Sequence, residues 1–598
     1  MSLKNLVALA LCLALCLAQS AEEPTAAPST GLDWIGLAVI IVFYVLIVFV
    51  SIWAGKKKKD ESTTEMVLAG RSISGVVGVI TMVASWICAG YLYGTVQAIV
   101  DGGLVWSEAT WCYSVCFLFA GLLFVKKMRE REYVTMLDPF QEKYGPVMTA
   151  LLYIPTVLGD IFWLAMTLAT LGSALSFLLN IPIIIAIIVS AVFAAIYTFI
   201  GGLYAVVYID VIQLTIMVVC MWIAIPFIWT NDKVDDVSLH TSEWLGSVEG
   251  SANWGIWVDS ALLMCFGGIP WQVVFQRVLA CKSVKDAKQL SYLSAIGVAI
   301  VAIAPCILGI IAVSTRWEEI PEVGTIADKS SSALSYLIKY LCPQVVSYIG
   351  LGALAAATMS TTDSAMLASA TVFSINIYKP IIHKKASDRE TMIVARIMVF
   401  VIAAIAVVLA ITSQSVYDLW VMTSDYIYCI LFPQLFLILY FPYCNTYGSF
   451  VGYIVAVILR LGGGEPLFKL DAFIPYPEWM PFRTLAMVCS LIAIMLFSYL
   501  FYYLIEVKKC NIDFLGFYRP QIPVSTPKEK TVAPEATAPV EPETAPAEPE
   551  TKPVDVPVIT EAPVVVEAVP AESDAKPVDV PVITEAPVVV EPVAQPAN

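Results

Sequence analysis

The sequence predicts an all-α polytopic membrane protein with thirteen transmembrane helices. Of its 598 residues, 59% are hydrophobic and only 14% are charged, whereas a soluble globular domain has about 45–50% apolar and about 25% charged residues. The apolar residues cluster in long runs, and a helix needs about 20 such residues to cross a bilayer. The chain is therefore expected to be surrounded by membrane lipid, and nothing in the sequence indicates a nucleic-acid partner.

The first 20 residues have the features of a signal peptide. Lys4 precedes a short apolar run, and the small residues Ala18 and Ser20 stand at the positions that cleavage requires. The apolar run is shorter than a transmembrane helix. Residues 1–20 are therefore predicted to be a cleaved leader, which places 21–33 outside the cell. An uncleaved additional helix is the alternative.

The distribution of charge orients the predicted spans. Four lysines at 56–59 follow the first span, and further basic clusters lie at 126–129, 282–288 and 508–509, whereas the loop 230–256 is acidic. If the spans alternate in direction, all the basic clusters face one side, which the positive-inside rule assigns to the cytoplasm. We therefore expect an extracellular N-terminus and a cytoplasmic C-terminus in the plasma membrane. The predicted spans are 34–55, 70–99, 104–125, 146–174, 179–201, 204–229, 257–279, 289–314, 345–377, 390–413, 416–440, 443–462 and 483–506.

The C-terminal tail differs from the transmembrane domain at 34–518. Residues 519–598 are rich in Pro, Ala, Glu and Val, and the segment KPVDVPVITEAPVVVE occurs at 552–567 and again at 576–591. Regularly spaced prolines prevent both helices and central strands, so a disordered cytoplasmic tail is predicted. A docking segment for cytoplasmic proteins is the alternative.

Two predicted spans are interrupted by residues that disfavour a helix. Small and polar residues occupy the centre of one span (TMVASWICAG, 81–90), and two glycines and a proline occupy the centre of another (GGIPWQ, 267–272). These spans are five helices apart. Broken helices at corresponding positions of two halves are typical of transporters with inverted repeats, whose binding site lies at the breaks. Kinks that only allow close helix packing are the alternative.

One further span contains ligands suited to a hard cation. The segment ALAAATMSTTDS (353–364) combines five hydroxyl groups with one carboxylate. Oxygen ligands without sulfur or imidazole favour such an ion. Ser360 and Thr361, together with carbonyl groups of a broken helix, are therefore predicted to bind Na⁺, with the charge of Asp363 nearby. Hydrogen bonds from these hydroxyls to carbonyls one turn earlier are the alternative.

Four aromatic residues lie in the interior of predicted spans, whereas Trp and Tyr usually lie at membrane interfaces. Trp86 and Trp271 belong to the two interrupted spans, and Tyr113 and Trp163 lie well inside others. Several aromatic faces around one cavity, with little fixed negative charge, form a cage for a quaternary ammonium ion. These four residues are the candidate substrate-binding residues.

Several segments resemble the sodium:solute symporters. Residues 201–213 (GGLYAVVYIDVIQ) are similar to the signature of that family. Residues 135–141 (TMLDPFQ), 267–277 (GGIPWQVVFQR) and 462–466 (GGGEP) are similar to its choline-transporting branch. The resemblance covers about 34–518. It implies a LeuT-type fold of two inverted five-helix repeats with one leading and two trailing helices. It also implies Na⁺-driven, Cl⁻-dependent choline uptake at the plasma membrane, in presynaptic terminals and vesicles.

The resemblance also implies roles for individual residues. The aromatic residues named above match those that enclose choline in the family. The residues that match its sodium site, through carbonyls and hydroxyls respectively, are Ala84, Ile87, Ala357, Ser360 and Thr361. The residues that match acidic coupling or gating positions are Asp363, Asp259 and Glu465. The chain departs from the family at Ile209, where threonine is usual, and at Thr361, where serine is commoner.

Other functions remain open at the level of sequence. A symporter of the same family could carry a sugar, iodide or a vitamin instead, although a sugar would require more polar walls. An integral membrane enzyme would need a catalytic base or a metal cluster, and the two isolated histidines, His240 and His383, offer little support for one. A choline-sensing channel is a third alternative. The chain is not expected to be an enzyme.

Overall fold

The computed structural model describes most of the predicted transmembrane domain. The predicted leader, 21–31 and the repeat tail lie outside the described residues. The described residues are 32–55, 67–73, 75–87, 89–413, 416–465, 469–510, 512–513 and 518.

The described part of the chain is helical, as predicted, and it contains isolated β-bridges but no regular strand. Its α-helices are α1 (Trp34–Gly55), α2 (Gly75–Trp86), α3 (Ala89–Gly102), α4 (Ala109–Phe119), α5 (Val125–Glu130), α6 (Asp138–Tyr144), α7 (Pro146–Leu179), α8 (Ile183–Trp229), α9 (Thr241–Leu245), α10 (Gly250–Gly267), α11 (Gln272–Leu279), α12 (Val284–Val313), α13 (Ala333–Leu341), α14 (Gln344–Val372), α15 (Asp388–Thr412), α16 (Val416–Tyr426), α17 (Phe432–Tyr440), α18 (Thr446–Gly462) and α19 (Phe482–Tyr502).

Ten helical segments among the described residues are long and apolar enough to cross a membrane, so the chain is a multi-pass membrane protein. A bent pair, α2 and α3, forms an eleventh span. Two shorter apolar helices, Ile183–Ile196 and Thr446–Gly462, lie where the sequence predicts spans of 179–201 and 443–462. The described residues are therefore helical at all thirteen predicted positions, although Ile183–Ile196 is the beginning of a longer helix and Thr446–Gly462 is shorter than expected.

The connection between the fifth and sixth predicted spans differs from the expectation. The sequence predicts a two-residue loop at 202–203, whereas the helix α8 runs without interruption from Ile183 to Trp229. Its 47 residues correspond to about 70 Å at about 1.5 Å per residue, more than twice the thickness of the hydrocarbon core. Two adjacent glycines lower helix propensity but do not prevent a helical backbone.

The helices divide into a central group and an outer group. In α14 and its continuation, 78% of the most apolar stretch is buried within the protein, and in the span Leu419–Tyr440 the buried share is 89%. The corresponding share is only 28% in the first span and 33% in the last. Small Ala, Gly, Ser and Thr residues along α14 allow neighbouring helices to approach closely. Both interrupted spans pack against this central group.

Candidate functional site

The first interrupted span bends where its small and polar residues are concentrated. The helix α2 ends at Trp86, the backbone leaves helical geometry at Ile87, and α3 continues at an angle of 47°. Ser85 donates a hydrogen bond to the carbonyl of Thr81, one turn earlier (2.8 Å). The break therefore places Trp86 at the end of a helix and inside the protein.

The second interrupted span breaks at the Gly-Gly-Ile-Pro sequence, as predicted. The helix α10 ends at Gly267, Trp271 has an extended backbone, and α11 begins at the next residue. The Trp271 indole Nε1 donates to the Gly267 carbonyl at 3.0 Å, which fixes the orientation of the ring. A Cβ atom at Gly268 would lie 2.8 Å from Cys116 Sγ and 3.1 Å from Trp86 Cζ2. Glycine at 268 therefore allows the two breaks to meet.

The four predicted aromatic residues lie together. The Trp86 ring centroid is 5.0 Å from that of Tyr113, 5.8 Å from that of Trp163 and 6.1 Å from that of Trp271. The Trp163 and Trp271 centroids are 4.3 Å apart. These four pairs all meet edge to face, a favourable geometry for aromatic rings, and the four side chains are buried.

A fifth ring, that of Trp420 on α16, completes this arrangement, with its centroid 6.0 Å from that of Tyr113. We call the five rings the aromatic chamber. Thr423 and Ser424 also line it, and none of the lining residues that the structure describes carries a charged side chain. The free volume is about 10 Å³, roughly what one water molecule requires. A larger solute therefore fits only when the rings move apart.

Next to the first break lies a buried polar group that sequence reasoning did not assign, which we call the Asp210 cluster. The Asp210 carboxylate on α8 accepts hydrogen bonds from Thr81 on α2 and from Ser360 on α14, the latter at 2.5 Å. It also forms an ion pair with Arg277 on α11 at 3.2 Å. Arg277 Nη2 donates in addition to Ser364 Oγ at 2.8 Å. Asp210 and Arg277 have no exposed side-chain surface, so each charge depends on the other.

The residues predicted to bind sodium lie around this cluster. Ala84 and Ile87 are at the first break, and Ala357, Ser360 and Thr361 are on α14, which packs against α2 and α3. All five are buried. In the part of the chain that the structure describes, Thr361 Oγ1 has no hydrogen-bond partner. The proton of Ser360, in contrast, is directed to Asp210.

The three predicted acidic residues do not form one site. The Asp259 carboxylate accepts hydrogen bonds from the backbone N–H groups of Arg483 and Thr484, at 3.0 and 2.7 Å, at the start of α19. Glu465 Oε2 pairs with Arg460 Nη2 at 2.7 Å. Asp363 instead lies beside the Asp210 cluster, where its Oδ1 accepts from Ser364 Oγ at 3.4 Å.

Asp259 and Glu465 belong to a chain of charges that joins four helices (α10, α16, α18 and α19) and the loop after α18. Asp425 on α16 pairs with Arg460 at 2.6 Å and with Arg483 at 2.7 Å. Arg460 continues to Glu465, and Arg483 continues to Asp259. We call these five residues the ionic network. Asp425 directly follows Ser424, so the network begins one residue from the aromatic chamber.

Comparison with known proteins places this arrangement in a family. The sequence profile of the sodium:solute symporter family matches residues 66–456. The chain belongs to this family. It is 42% identical over 495 residues to high-affinity choline transporter 1 of Caenorhabditis elegans, covering 78% of this chain and 85% of that protein. It is 41% identical over 499 residues to the human high affinity choline transporter 1, covering 79% and 86%.

The symporter fold is supported independently by a solved structure. A Na⁺-coupled sialic acid symporter, in a substrate-bound outward-open state, superposes with a TM-score of 0.65 at 18% identity, covering 78% of this chain and 98% of that one. Because the family and the named relatives are transporters, this symporter is not an enzyme, and the family couples transport to sodium.

Sequence reasoning missed several residues of this symporter that lie at the site. Trp420 lies only four residues into its predicted span, a position typical of interfacial aromatic residues. Asp210 and Arg277 lie inside the motifs at 201–213 and 267–277, and neither was predicted to have a role. Both are ionisable residues at the depth of the membrane, which is the signal that could have identified them.

Proposed function

We propose that this symporter takes up choline with high affinity across the plasma membrane, driven by sodium and dependent on chloride. The observation that carries the proposal is the aromatic chamber, in which five buried rings surround one cavity and no described residue of its wall is charged. The high-affinity choline transporters to which the chain is 41–42% identical support the same substrate.

The chemistry of the chamber suits a quaternary ammonium group. Such a group has no N–H to donate to a carboxylate, so a fixed negative charge would not distinguish it from a primary amine. Each desolvated cation–π contact contributes about 2 kcal/mol, and about four of them supply the roughly 8 kcal/mol that micromolar affinity requires. The predicted residues Trp86, Tyr113, Trp163 and Trp271 provide that number, and Trp420 adds a fifth face.

Sodium is proposed to bind beside the chamber at the first break. Its ligands are the carbonyl oxygens of Ala84, Ile87 and Ala357 and the hydroxyl oxygens of Ser360 and Thr361. Because Ser360 donates its proton to Asp210, its lone pairs are available to a cation. The Thr361 hydroxyl, which has no hydrogen-bond partner among the described residues, can also offer its lone pairs to the ion. An ion there joins α2 to α14 and stabilises the conformation that receives choline.

Transport proceeds by alternating access in a LeuT-type fold of thirteen spans, with two inverted repeats of five helices. The two breaks, five spans apart, support this repeat. The basic clusters support an extracellular N-terminus and a cytoplasmic tail. Each net positive charge that enters gains about 2.3 kcal/mol per 100 mV of membrane potential. We propose Asp363 for coupling, since it lies beside the Asp210 cluster, and Asp259 and Glu465 for gating through the ionic network.

Radiolabelled uptake in expressing cells tests the proposal. Choline, glucose and iodide are offered in parallel, with sodium or with N-methylglucamine, and with chloride or gluconate. Choline uptake that requires sodium and chloride is the expected result. Sodium-dependent uptake of glucose or iodide without choline would assign the chain to another solute, and choline currents independent of the sodium gradient would indicate a channel.

A further inference from the structure

A second buried oxygen-rich cluster lies between α7 and α14, away from the residues considered so far. Its members are Asp160 and Tyr153 on α7 and Ser369 on α14, and we call it the Asp160 cluster. The Ser369 hydroxyl is the polar neighbour of both the Asp160 carboxylate and the Tyr153 hydroxyl. The Tyr153 ring also packs against Phe373, one turn after Ser369, at 6.0 Å between centroids. The two helices therefore face each other along this stretch.

The polar atoms of the Asp160 cluster are buried but not satisfied. Asp160 is 2% exposed and Ser369 is fully buried. Within the described residues, Asp160 Oδ2, Ser369 Oγ and Tyr153 Oη complete no hydrogen bond of normal geometry. A buried oxygen without a partner costs about 1–3 kcal/mol, and more when it carries a charge. Three such atoms on facing helices are therefore expected to have a ligand during the transport cycle.

The contrast with Asp210 shows what is missing at Asp160. The Asp210 carboxylate has an arginine and two hydroxyl donors within reach. Asp160 has Ser369 as its polar neighbour and forms no ion pair with the basic residues that the structure describes. An intramembrane carboxyl group without a counter-charge is neutral while protonated and binds a cation when it ionises. Its neighbours are hydroxyl oxygens, which are ligands for a small hard cation.

The Asp160 cluster lies between the proposed sodium site and one membrane face. Ser369 is nine residues beyond Ser360 on α14, which corresponds to about 13 Å, so the two sites are separate. Asp160 precedes Trp163 by one turn of α7. Because the two helices run in opposite directions, both displacements lead toward the same face, which is the cytoplasm in the proposed orientation.

We propose that the Asp160 cluster is a second, transient Na⁺ site, which the ion occupies as it leaves for the cytoplasm; this rests on the proposed sodium-coupled function. The carboxylate of Asp160 and the hydroxyls of Ser369 and Tyr153 are the side-chain ligands. A compact ion bridges oxygens on two helices, whereas a quaternary ammonium group gains nothing from hydroxyl lone pairs.

Equilibrium binding of ²²Na⁺ to the purified full-length protein tests the site without requiring transport. The wild type is expected to bind Na⁺ in two components. Asp160→Asn removes the weaker component, Ser369→Ala weakens it about tenfold, and Asp160→Glu retains it. Combined replacement Ser360→Ala/Thr361→Val weakens the stronger component about fivefold, because the carbonyl ligands remain, and leaves the weaker one unchanged. Retention of one component in each variant also shows that the protein is folded.

Thr156→Val is the matched control. Thr156 is buried on the same helix, one turn from Asp160, and its hydroxyl already donates to the Leu152 carbonyl at 3.0 Å, so both components should persist. Two unchanged components in Asp160→Asn would overturn the proposal, as would a loss of choline binding without any change in ²²Na⁺ binding. If the protein does not carry choline at all, the proposed function fails but the ²²Na⁺ result still decides the site.

Discussion

The aromatic chamber and the ionic network are neighbours with opposite chemistry. Ser424 lines the chamber, and Asp425, the next residue of α16, is the centre of the network. The chamber excludes fixed charge from a site proposed for a cation, whereas the network concentrates three carboxylates and two guanidinium groups among α10, α16, α18, α19 and the loop after α18. The comparison indicates two separate roles: the rings recognise the solute, and the ion pairs of the ionic network stabilise α16, which carries Trp420.

Removal of the central carboxylate of the network should have the largest effect. Asp425→Ala removes the closest carboxylate partner of both Arg460 and Arg483. Breaking a buried ion pair costs about 3–5 kcal/mol. We expect a strongly lowered melting temperature of the purified protein. Asp232→Ala, in the acidic loop, is the control and should melt like the wild type. An unchanged melting temperature of Asp425→Ala would show that the network does not stabilise α16.

Removal of a chamber ring should lower choline uptake instead of the stability of the protein. Trp271→Ala is expected to abolish high-affinity choline uptake at normal surface expression, because one cation–π contact of about 2 kcal/mol corresponds to about thirtyfold in affinity. Radiolabelled uptake and surface biotinylation measure the two quantities. Trp254→Ala, which removes an exposed tryptophan, should transport normally. Wild-type affinity in Trp271→Ala contradicts the cage.

The contact between the two breaks can be tested by a single methyl group. Gly268→Ala places Cβ against Cys116 and Trp86, and overpacking typically costs about 1–3 kcal/mol. Displacement of Trp86 is expected to weaken choline affinity about tenfold. Gly75→Ala is the matched control, because no atom lies within 4 Å of the position that its new Cβ would occupy. Equal choline affinities in the two variants would show that the contact between the two breaks does not affect choline recognition.

The smallest effect should be on sodium alone. Ser360→Ala/Thr361→Val is expected to raise the sodium concentration for half-maximal choline uptake about fivefold, or about 1 kcal/mol, since two hydroxyl ligands are lost while the carbonyls remain. The maximal rate at saturating sodium and the surface expression serve as internal references. A sodium curve that coincides with that of the wild type removes both hydroxyls from the proposed site.

Sequence reasoning predicted the features that are local in the chain. Gly-Gly-Ile-Pro disfavours a helix wherever it occurs, so the break before Trp271 could be predicted, and so could the interior position of Trp86. The pairing of Asp210 with Arg277 spans 67 residues and depends on how α8 packs against α11, which no local pattern records. Trp420 is similar: its distance from the span end suggested an interface, whereas the burial of α16 brings it to the centre.

The edge-to-face contacts of the chamber have a consequence for the part of a carrier's cycle in which nothing is transported. Rings that can close on one another keep the middle of the membrane dry without a solute between them. A transporter built in this way can return to its starting conformation without a solute and still contain no continuous column of water through which protons or other ions could leak.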